Sequence, residues 1–217
     1  MNKKKKIIDN YGKSVTIIIS ICLCFFIFNS IFIEKDALYQ ISDNKYIAWI
    51  LNFFAGCEGM LGAMGSMSKN AVFFEGQWWR VFTHIYLHAG VFHLIFNMFA
   101  LLFSGKVVEK KFGFFWCMLL FHIIAVIDAI LMCLIFPDST SVGASGGIFG
   151  LIGVTAALKI HNDSKYIEIL KKREFIYLIV FTVLSLVLGF ESFLTHFIAF
   201  ILGATAGFII SKLSEAK

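Results

Sequence analysis

The stretch SVGASGGIFGLIGVTAALKI, residues 141–160, places a serine among glycines at the start of an apolar run. The run ends at Lys159, and a helix from Ser145 to Lys159 is about 21 Å long at a rise of about 1.5 Å per residue. The hydrocarbon layer of a bilayer is about 30 Å thick. The stretch therefore predicts a short membrane helix whose serine, a potential nucleophile, lies below the far surface of the bilayer.

The composition of the whole chain predicts a multi-pass membrane protein. Of its 217 residues, 59% are hydrophobic and 15% are charged, and the mean hydropathy is +0.84. These values exceed what the core of a soluble domain requires. The formal net charge of +5 does not indicate nucleic-acid binding, because the basic residues flank apolar segments and form no basic face with interleaved aromatics.

The five cysteines indicate neither disulfides nor a metal site. Their number is odd, their spacing is not that of metal ligands, and all but Cys57 lie inside apolar runs. We expect them to act as small buried hydrophobes. The sequence predicts no cofactor.

Six apolar segments are predicted to be transmembrane helices, because hydrocarbon offers no hydrogen-bond partner to a free backbone amide or carbonyl. The first segment has no small-residue cleavage site and is long enough to span, so it is interpreted as a retained helix rather than a signal peptide. We expect an N-terminal tail (1–14), one helical domain (15–211) and a C-terminal tail (212–217). The segments are approximately 15–33, 91–106, 113–136, 144–159, 175–190 and 194–211.

Lysine and arginine predict the orientation of these segments. Four of the 19 basic residues lie in one long loop, 34–90. All the others lie before the first segment, between the second and third, between the fourth and fifth, or after the sixth. By the positive-inside rule, both termini are expected in the cytoplasm. The protein is expected in the plasma membrane.

The long outer loop is expected to be partly embedded in the membrane. Tyr46 to Ala55 is too short to cross the bilayer and is predicted to lie in the interface. The glycine-rich stretch from Gly56 to Gly65 is predicted to turn.

Several polar residues of distant segments fall at one depth. His196 lies roughly 24 Å from the cytoplasmic end of its segment and His93 about 20 Å from that of its own, which matches Ser145. A serine hydroxyl needs a general base, and an imidazole has a suitable pKa, so His196 is the predicted base. The backbone amide of Ser145 and the side chains of His93 and Asn97 are candidate oxyanion donors.

Two glycines near Ser145 are also expected to belong to the site. Gly143 and Gly146 are expected to leave the backbone uncrowded, so that a substrate strand can approach the serine.

Other interpretations of these residues remain open. The glycines and serine match the nucleophile-elbow pattern of soluble hydrolases, but that motif needs a strand and a soluble sheet, and the sequence predicts neither. They also suit a small-residue face between membrane helices, and the polar side chains suit hydrogen bonds between helices. Asp128, level with Ser145, is either an acid that orients His196 or a packing residue. A metal site from His84, His88 and His93 lacks a carboxylate.

Taken in order, these motifs resemble the rhomboid family of intramembrane serine proteases, from about residue 78 to residue 207. One position departs from the family pattern, since Ala199 stands where a glycine often follows the histidine of the last helix. The motifs are Trp79-Arg80, His93 to Asn97, Gly105 to Glu109, Gly143-Ala144-Ser145-Gly146, Phe149, and His196.

The resemblance implies an all-α fold, a bundle of six transmembrane helices with a long first outer loop. It implies an endopeptidase that cleaves transmembrane segments near the outer face of the bilayer with a Ser145–His196 dyad. Phe149 is then expected to pack against His196, and Trp79, Arg80 and Glu109 to support the fold. The expected partners are transmembrane substrates and lipid, and no oligomer is required. The alternative is a non-catalytic rhomboid-like protein that binds transmembrane helices.

Overall fold

The computed structural model describes residues 11–31, 42, 44–55, 58–160, 172–187 and 189–215, and these are mostly helical. A π-helical turn lies at Asn70–Phe74, a 3-10 turn at His84–Tyr86, and two short strands, β1 (Met67–Ser68) and β2 (Thr140–Ser141), pair antiparallel. The α-helices are α1 (Lys13–Ile31), α2 (Lys45–Ala55), α3 (Glu58–Met64), α4 (Arg80–Thr83), α5 (Val91–Ile135), α6 (Ser145–Ile160), α7 (Lys172–Val187) and α8 (Phe190–Glu215).

Three of the described helices are long and apolar enough to cross a bilayer, namely Lys13–Ile31, Val91–Ile135 and Phe190–Leu213. A shorter apolar helix covers Ser145–Leu158. The prediction of a helical membrane protein is confirmed. The exact number of crossings and the tail boundaries at residues 14 and 212 stay predictions, and residues 1–10 and 216–217 lie outside the described part of the chain.

The second and third apolar segments form the two arms of one helix, α5. Gly113 interrupts it with φ 87° and ψ 174°, a conformation that L-residues with a side chain rarely adopt. The break separates residues 91–112 from residues 114–135. Cys117 Sγ, on the second arm, lies 3.7 Å from the carbonyl oxygen of Gly105 on the first.

The prediction of a turn at Gly56–Gly65 was wrong over most of its length, because residues 58–64 form α3. Leu61 is buried, and burial of its side chain offsets the weak helix propensity of the glycines. Gly65 ends the helix with φ 112°, and the amides of Gly65 and Ser66 donate to the carbonyl of Leu61 at 3.1 and 2.8 Å. A left-handed glycine is a common helix terminator.

The chain forms two compact units. Unit one contains residues 99–128 of α5, helices α6 to α8 and residues 11–17, and unit two contains residues 18–98 and 129–144 as far as they are described. In unit one, glycines bring α6 and α8 into backbone contact. A Cβ on Gly203 would lie 2.7 Å from the Cα of Gly150, and one on Gly153 would meet the carbonyl oxygen of Phe200.

Replacing Gly203 by leucine is expected to destabilise unit one. The new side chain would collide with the backbone of Gly150, which cannot move aside as a flexible side chain can. Overpacking of this kind costs about 1–3 kcal/mol, which corresponds to a fall of roughly 2–12 °C in the midpoint of thermal unfolding for a chain of this size. Thermal unfolding in detergent measures this change.

The matched control is Gly62→Ala, because nothing lies within 4 Å of a Cβ at Gly62. Its unfolding midpoint should stay at or slightly above that of the wild type, since alanine favours a helix. Equal midpoints for Gly203→Leu and the wild type would show that α6 and α8 do not pack this closely.

Unit two is organised around the outer loop. Trp49 Nε1, on α2, donates to the carbonyl of Ser30 at 3.1 Å, and Tyr86 stacks on Phe25 of α1 with ring centroids 6.1 Å apart. The strand pair β1–β2 joins this loop to the connection that precedes α6, with Met67 opposite Ser141. The helix predicted at Tyr46–Ala55 is present as α2, and its interfacial location stays a prediction.

Candidate active site

Ser145 is the first residue of α6 and is partly exposed, between buried neighbours on both sides. Gly143 precedes it with φ 113°, and its amide donates to the carbonyl of His84 at 2.8 Å. A hydrogen bond therefore holds the turn at Gly143, and α6 begins two residues later at Ser145. The first amides of α6 have no partner within the helix and carry its positive dipole end.

His196 lies on α8, nearly buried, with its imidazole stacked on the ring of Phe149. The ring centroids are 4.2 Å apart and the planes differ by 15°. Phe149 follows Ser145 by four residues on α6, and residues at this spacing share one face of a helix. The imidazole therefore packs against the face of α6 that carries Ser145.

Asp128, on α5, lies beside Gly146. Its Oδ2 would be 2.8 Å from a Cβ at Gly146, and the Cα of Ala125 would be 3.5 Å away. The side of Gly146 that was expected to stay open for substrate is thus filled by α5, and close helix packing requires the glycine. Asp128 Oδ1 is buried and has no hydrogen-bond partner among the described residues. Asp128 Oδ2 packs against α6 at Gly146.

The predicted oxyanion residues belong to unit two. Asn97 Nδ2 donates to the carbonyl of His93 at 2.8 Å, and no described residue provides a partner for its buried Oδ1. A Cβ on Gly143 would lie 2.9 Å from His93 Cε1, which places the imidazole against the turn before α6. His93 also packs edge-on against His88, with ring centroids 5.1 Å apart.

Arg80 makes three hydrogen bonds that connect separate parts of the outer loop. Its Nη1 donates to the carbonyls of Gly62 and Ser66 at 2.7 and 2.9 Å, and its Nε donates to Gln77 Oε1 at 2.5 Å. These three bonds link α3, the strand region and α4. Trp79 is about half exposed and packs edge-on against Trp78.

Glu109 caps the first helix. Its carboxylate accepts hydrogen bonds from the amides of Lys13 and Ser14 at 2.7 and 3.0 Å and from the hydroxyl of Ser14. A carboxylate satisfies the unpaired amides at a helix N-terminus and complements its dipole. Glu109 therefore attaches the start of α1 to α5. No sequence motif indicates this role of Ser14.

His84, in the outer loop, should make stability depend on pH. Burial lowers the pKa of His84 from 6.5 to about 4, so between these values the unfolded chain binds more protons than the folded one. Stability is then highest above about pH 6.5 and falls as the pH drops toward 4, by up to about 1.4 kcal/mol per pH unit. Thermal unfolding measured across this range checks the slope.

The control for this slope is His84→Gln, which removes the titrating group. Burial lowers the pKa of His88 to about 3 in the same loop, so the variant should show a reduced slope rather than none. An unfolding midpoint of the wild type that does not change between pH 7 and pH 4 would contradict the buried, neutral state of His84.

The structure thus brings Phe149 and His196 together, Gly146 and Asp128 together, and His93, Asn97 and Gly143 together. Ser145 and His196 lie in unit one, whereas His93 and Asn97 lie in unit two. In the described part of the chain, no group of three His, Cys, Asp or Glu side chains could hold a metal ion.

Comparison with known proteins identifies the family. Residues 75–213 match the model of the Rhomboid domain. RHOMBOID-like protein 1 of Arabidopsis thaliana is 35% identical over 150 residues, which is 69% of this chain and 38% of that protein. RHOMBOID-like protein 2 of the same plant is 34% identical over 161 residues, 72% of this chain and 50% of the relative.

A bacterial relative carries an enzymatic name. Rhomboid protease GluP of Bacillus subtilis is 33% identical over 122 residues, 56% of this chain and 23% of GluP. In all three comparisons the aligned part is no more than half of the relative's length. Because the domain match includes each motif residue from Trp79 to His196, the resemblance seen in the sequence is confirmed, and the chain belongs to the rhomboid family.

Proposed function

We propose that the protein is an intramembrane serine endopeptidase that cleaves transmembrane segments of other membrane proteins near the outer face of the bilayer. One observation carries the proposal, the stacking of His196 on Phe149, one helical turn after Ser145. This contact joins the helix that bears the nucleophile to the helix that bears the base. The relationship to GluP, which is named a rhomboid protease, supports the same class of reaction.

In the proposed reaction, Ser145 Oγ attacks the carbonyl carbon of the scissile peptide bond while His196 takes the hydroxyl proton. The imidazolium then returns this proton to the leaving amine, and the C–N bond breaks. Water, deprotonated by the same imidazole, hydrolyses the resulting ester and restores the serine. Since the general base is a neutral imidazole, cleavage is expected near neutral pH.

The proposed oxyanion donors are the amide of Ser145 and the side chains of His93 and Asn97. An asparagine amide has two N–H bonds, and only one of those of Asn97 is needed for the carbonyl of His93. The second remains for an oxyanion. The turn glycine, Gly143, lies against the His93 ring, and a side chain there would displace the ring.

For the arrangement in the membrane, we propose six spans with both termini in the cytoplasm, in the plasma membrane. The lysine and arginine distribution supports this orientation. The helices that correspond to the six spans are α1, the two arms of α5, α6, α7 and α8. The substrates are transmembrane helices, reached through the bilayer, and one chain carries the dyad, so that no oligomer is required.

The proposal is tested by reconstituting the full chain in liposomes with a single-pass substrate that carries a different tag at each end. We expect two fragments, and mass spectrometry should map the new termini to the outer part of the substrate's transmembrane segment. A substrate that is captured by the protein but stays intact would contradict the proposal. That result would instead indicate a non-catalytic rhomboid-like protein that binds transmembrane helices.

A further inference from the structure

Three aromatic side chains from three helices form a continuous chain of ring contacts that ends at His196. The imidazole stacks on Phe149 of α6, and Phe149 stacks on Phe181 of α7. The second pair has ring centroids 5.3 Å apart and planes 24° from parallel. No motif in the sequence includes Phe181.

The side chain of Phe181 is much less exposed than those of its neighbours on α7. Phe181 is 7% exposed, whereas Val183 and Leu184 are more than half exposed. Phe181 is the described α7 ring that packs against the aromatic support of His196.

The same ring also connects to α5 within unit one. Tyr177, one turn earlier on α7, is parallel to Phe181 at 6.5 Å. Tyr177 packs edge-on against Phe99 and Phe103 of α5, at 5.9 and 5.5 Å. Helix α7 therefore makes aromatic contacts with α5 through Tyr177 and with α6 through Phe181. The position of α7 decides where the Phe181 ring meets Phe149.

We propose that Phe181 is a positioning residue for the catalytic imidazole, acting through Phe149. This inference rests on the proposed function, because it concerns the base of that reaction. Stacked rings resist tilting relative to each other, and such a pair contributes beyond the area it buries. With Phe181 in place, Phe149 holds a flat surface against His196, which fixes the plane of the imidazole. When α7 shifts, this support weakens and the base loses its alignment.

The inference predicts a loss of turnover rather than of substrate binding. Phe181→Leu keeps most of the apolar volume and removes the ring, and kcat should fall about three- to tenfold, the range that corresponds to the loss of one aromatic pair. KM should change less than twofold. The rate at which a small fluorophosphonate labels Ser145 should fall in the same proportion as kcat, since labelling also needs the base but no transmembrane substrate.

Two further variants and one control make the test specific. Phe181→Tyr keeps the ring and should restore most of kcat and of the labelling rate. Phe181→Met is a second variant without a ring and should behave like Phe181→Leu, which keeps the test usable if one of them folds poorly. Leu184→Ala, on the exposed side of the same helix, should leave both rates unchanged. All variants are compared at the same folded fraction, measured by thermal unfolding in detergent.

Several outcomes would overturn the inference. These are wild-type rates in both variants without a ring, a rise in KM at constant kcat, or slower cleavage with an unchanged labelling rate. An equal loss in Leu184→Ala would also overturn it, because the effect would then be general loosening of α7. A wild-type protein that neither cleaves nor is labelled would overturn the proposed function itself, and this inference with it.

Discussion

The variant Ser145→Ala is expected to lose cleavage of a single-pass substrate by roughly 10⁴-fold or more, the range seen when a serine hydrolase loses its nucleophile. The reason is that no other group at the start of α6 can form the ester. The fold should be unaffected, since Ser145 is partly exposed and alanine suits a helix. Cleavage by purified protein in liposomes, with quantified fragments, measures the loss.

The matched control is Ser139→Ala, which removes a serine from the connection that precedes α6. Ser139 Oγ donates to the carbonyl of Phe136, a local contact that has no part in the reaction. This variant should cleave at the wild-type rate. Full activity of Ser145→Ala would remove the nucleophile from the proposal, whatever the behaviour of the control.

The second large effect is expected for His196→Gln. Glutamine is polar and of comparable size, but its amide cannot take a proton from a serine hydroxyl, so cleavage should again fall by roughly 10⁴-fold. The double variant with Ser145→Ala should be no slower than either single variant, because the two residues act as one unit. Steady-state cleavage rates of the three proteins measure this non-additivity.

His122→Gln is the corresponding control. His122 lies on the second arm of α5, with Nδ1 2.7 Å from the carbonyl of Met118 and its ring packed edge-on against Phe121. Losing it should affect stability at most. If His122→Gln lost cleavage while His196→Gln kept it, the base would have been assigned to the wrong helix.

Hydropathy predicted the helices well because hydrocarbon requires every backbone group to be paired. The described residues of the six apolar segments are mostly helical, but the helix bounds differ from the predicted ones. The last segment was predicted at 194–211, whereas α8 runs from Phe190 to Glu215. The backbone hydrogen-bond pattern continues through Glu191 and Lys212, where hydropathy falls. Hydropathy therefore identifies the apolar part of a helix and not its ends.

The glycines show what residue type alone could not decide. Those around Ser145 were interpreted as space for a substrate, and Gly146 instead meets Asp128 and Ala125. Gly147 and Gly150 likewise meet Phe121 and Ile124 of α5. A glycine allows close approach of any kind, so the sequence cannot say whether the approaching group is substrate or another helix.

The candidate site was predicted in part. The contact of Phe149 with His196 followed from the family resemblance and is present, whereas the catalytic roles of Ser145 and His196 stay predictions. Phe181 could not have been found, because α7 is almost entirely apolar after its charged first turn and no pattern distinguishes one buried ring from the exposed residues beside it. Contacts between distant helices are set by three-dimensional packing, which single-sequence periodicity does not contain.

Reaction with a fluorophosphonate tests the central claim most directly. The reagent reacts rapidly with a serine that a neighbouring base activates, and slowly with an ordinary serine. We predict one adduct on the wild-type protein, mapped by mass spectrometry to Ser145, and a labelling rate lowered by orders of magnitude in His196→Gln. Absence of an adduct at Ser145 in folded wild-type protein, or equal labelling of Ser145 in His196→Gln, would contradict a Ser145–His196 dyad.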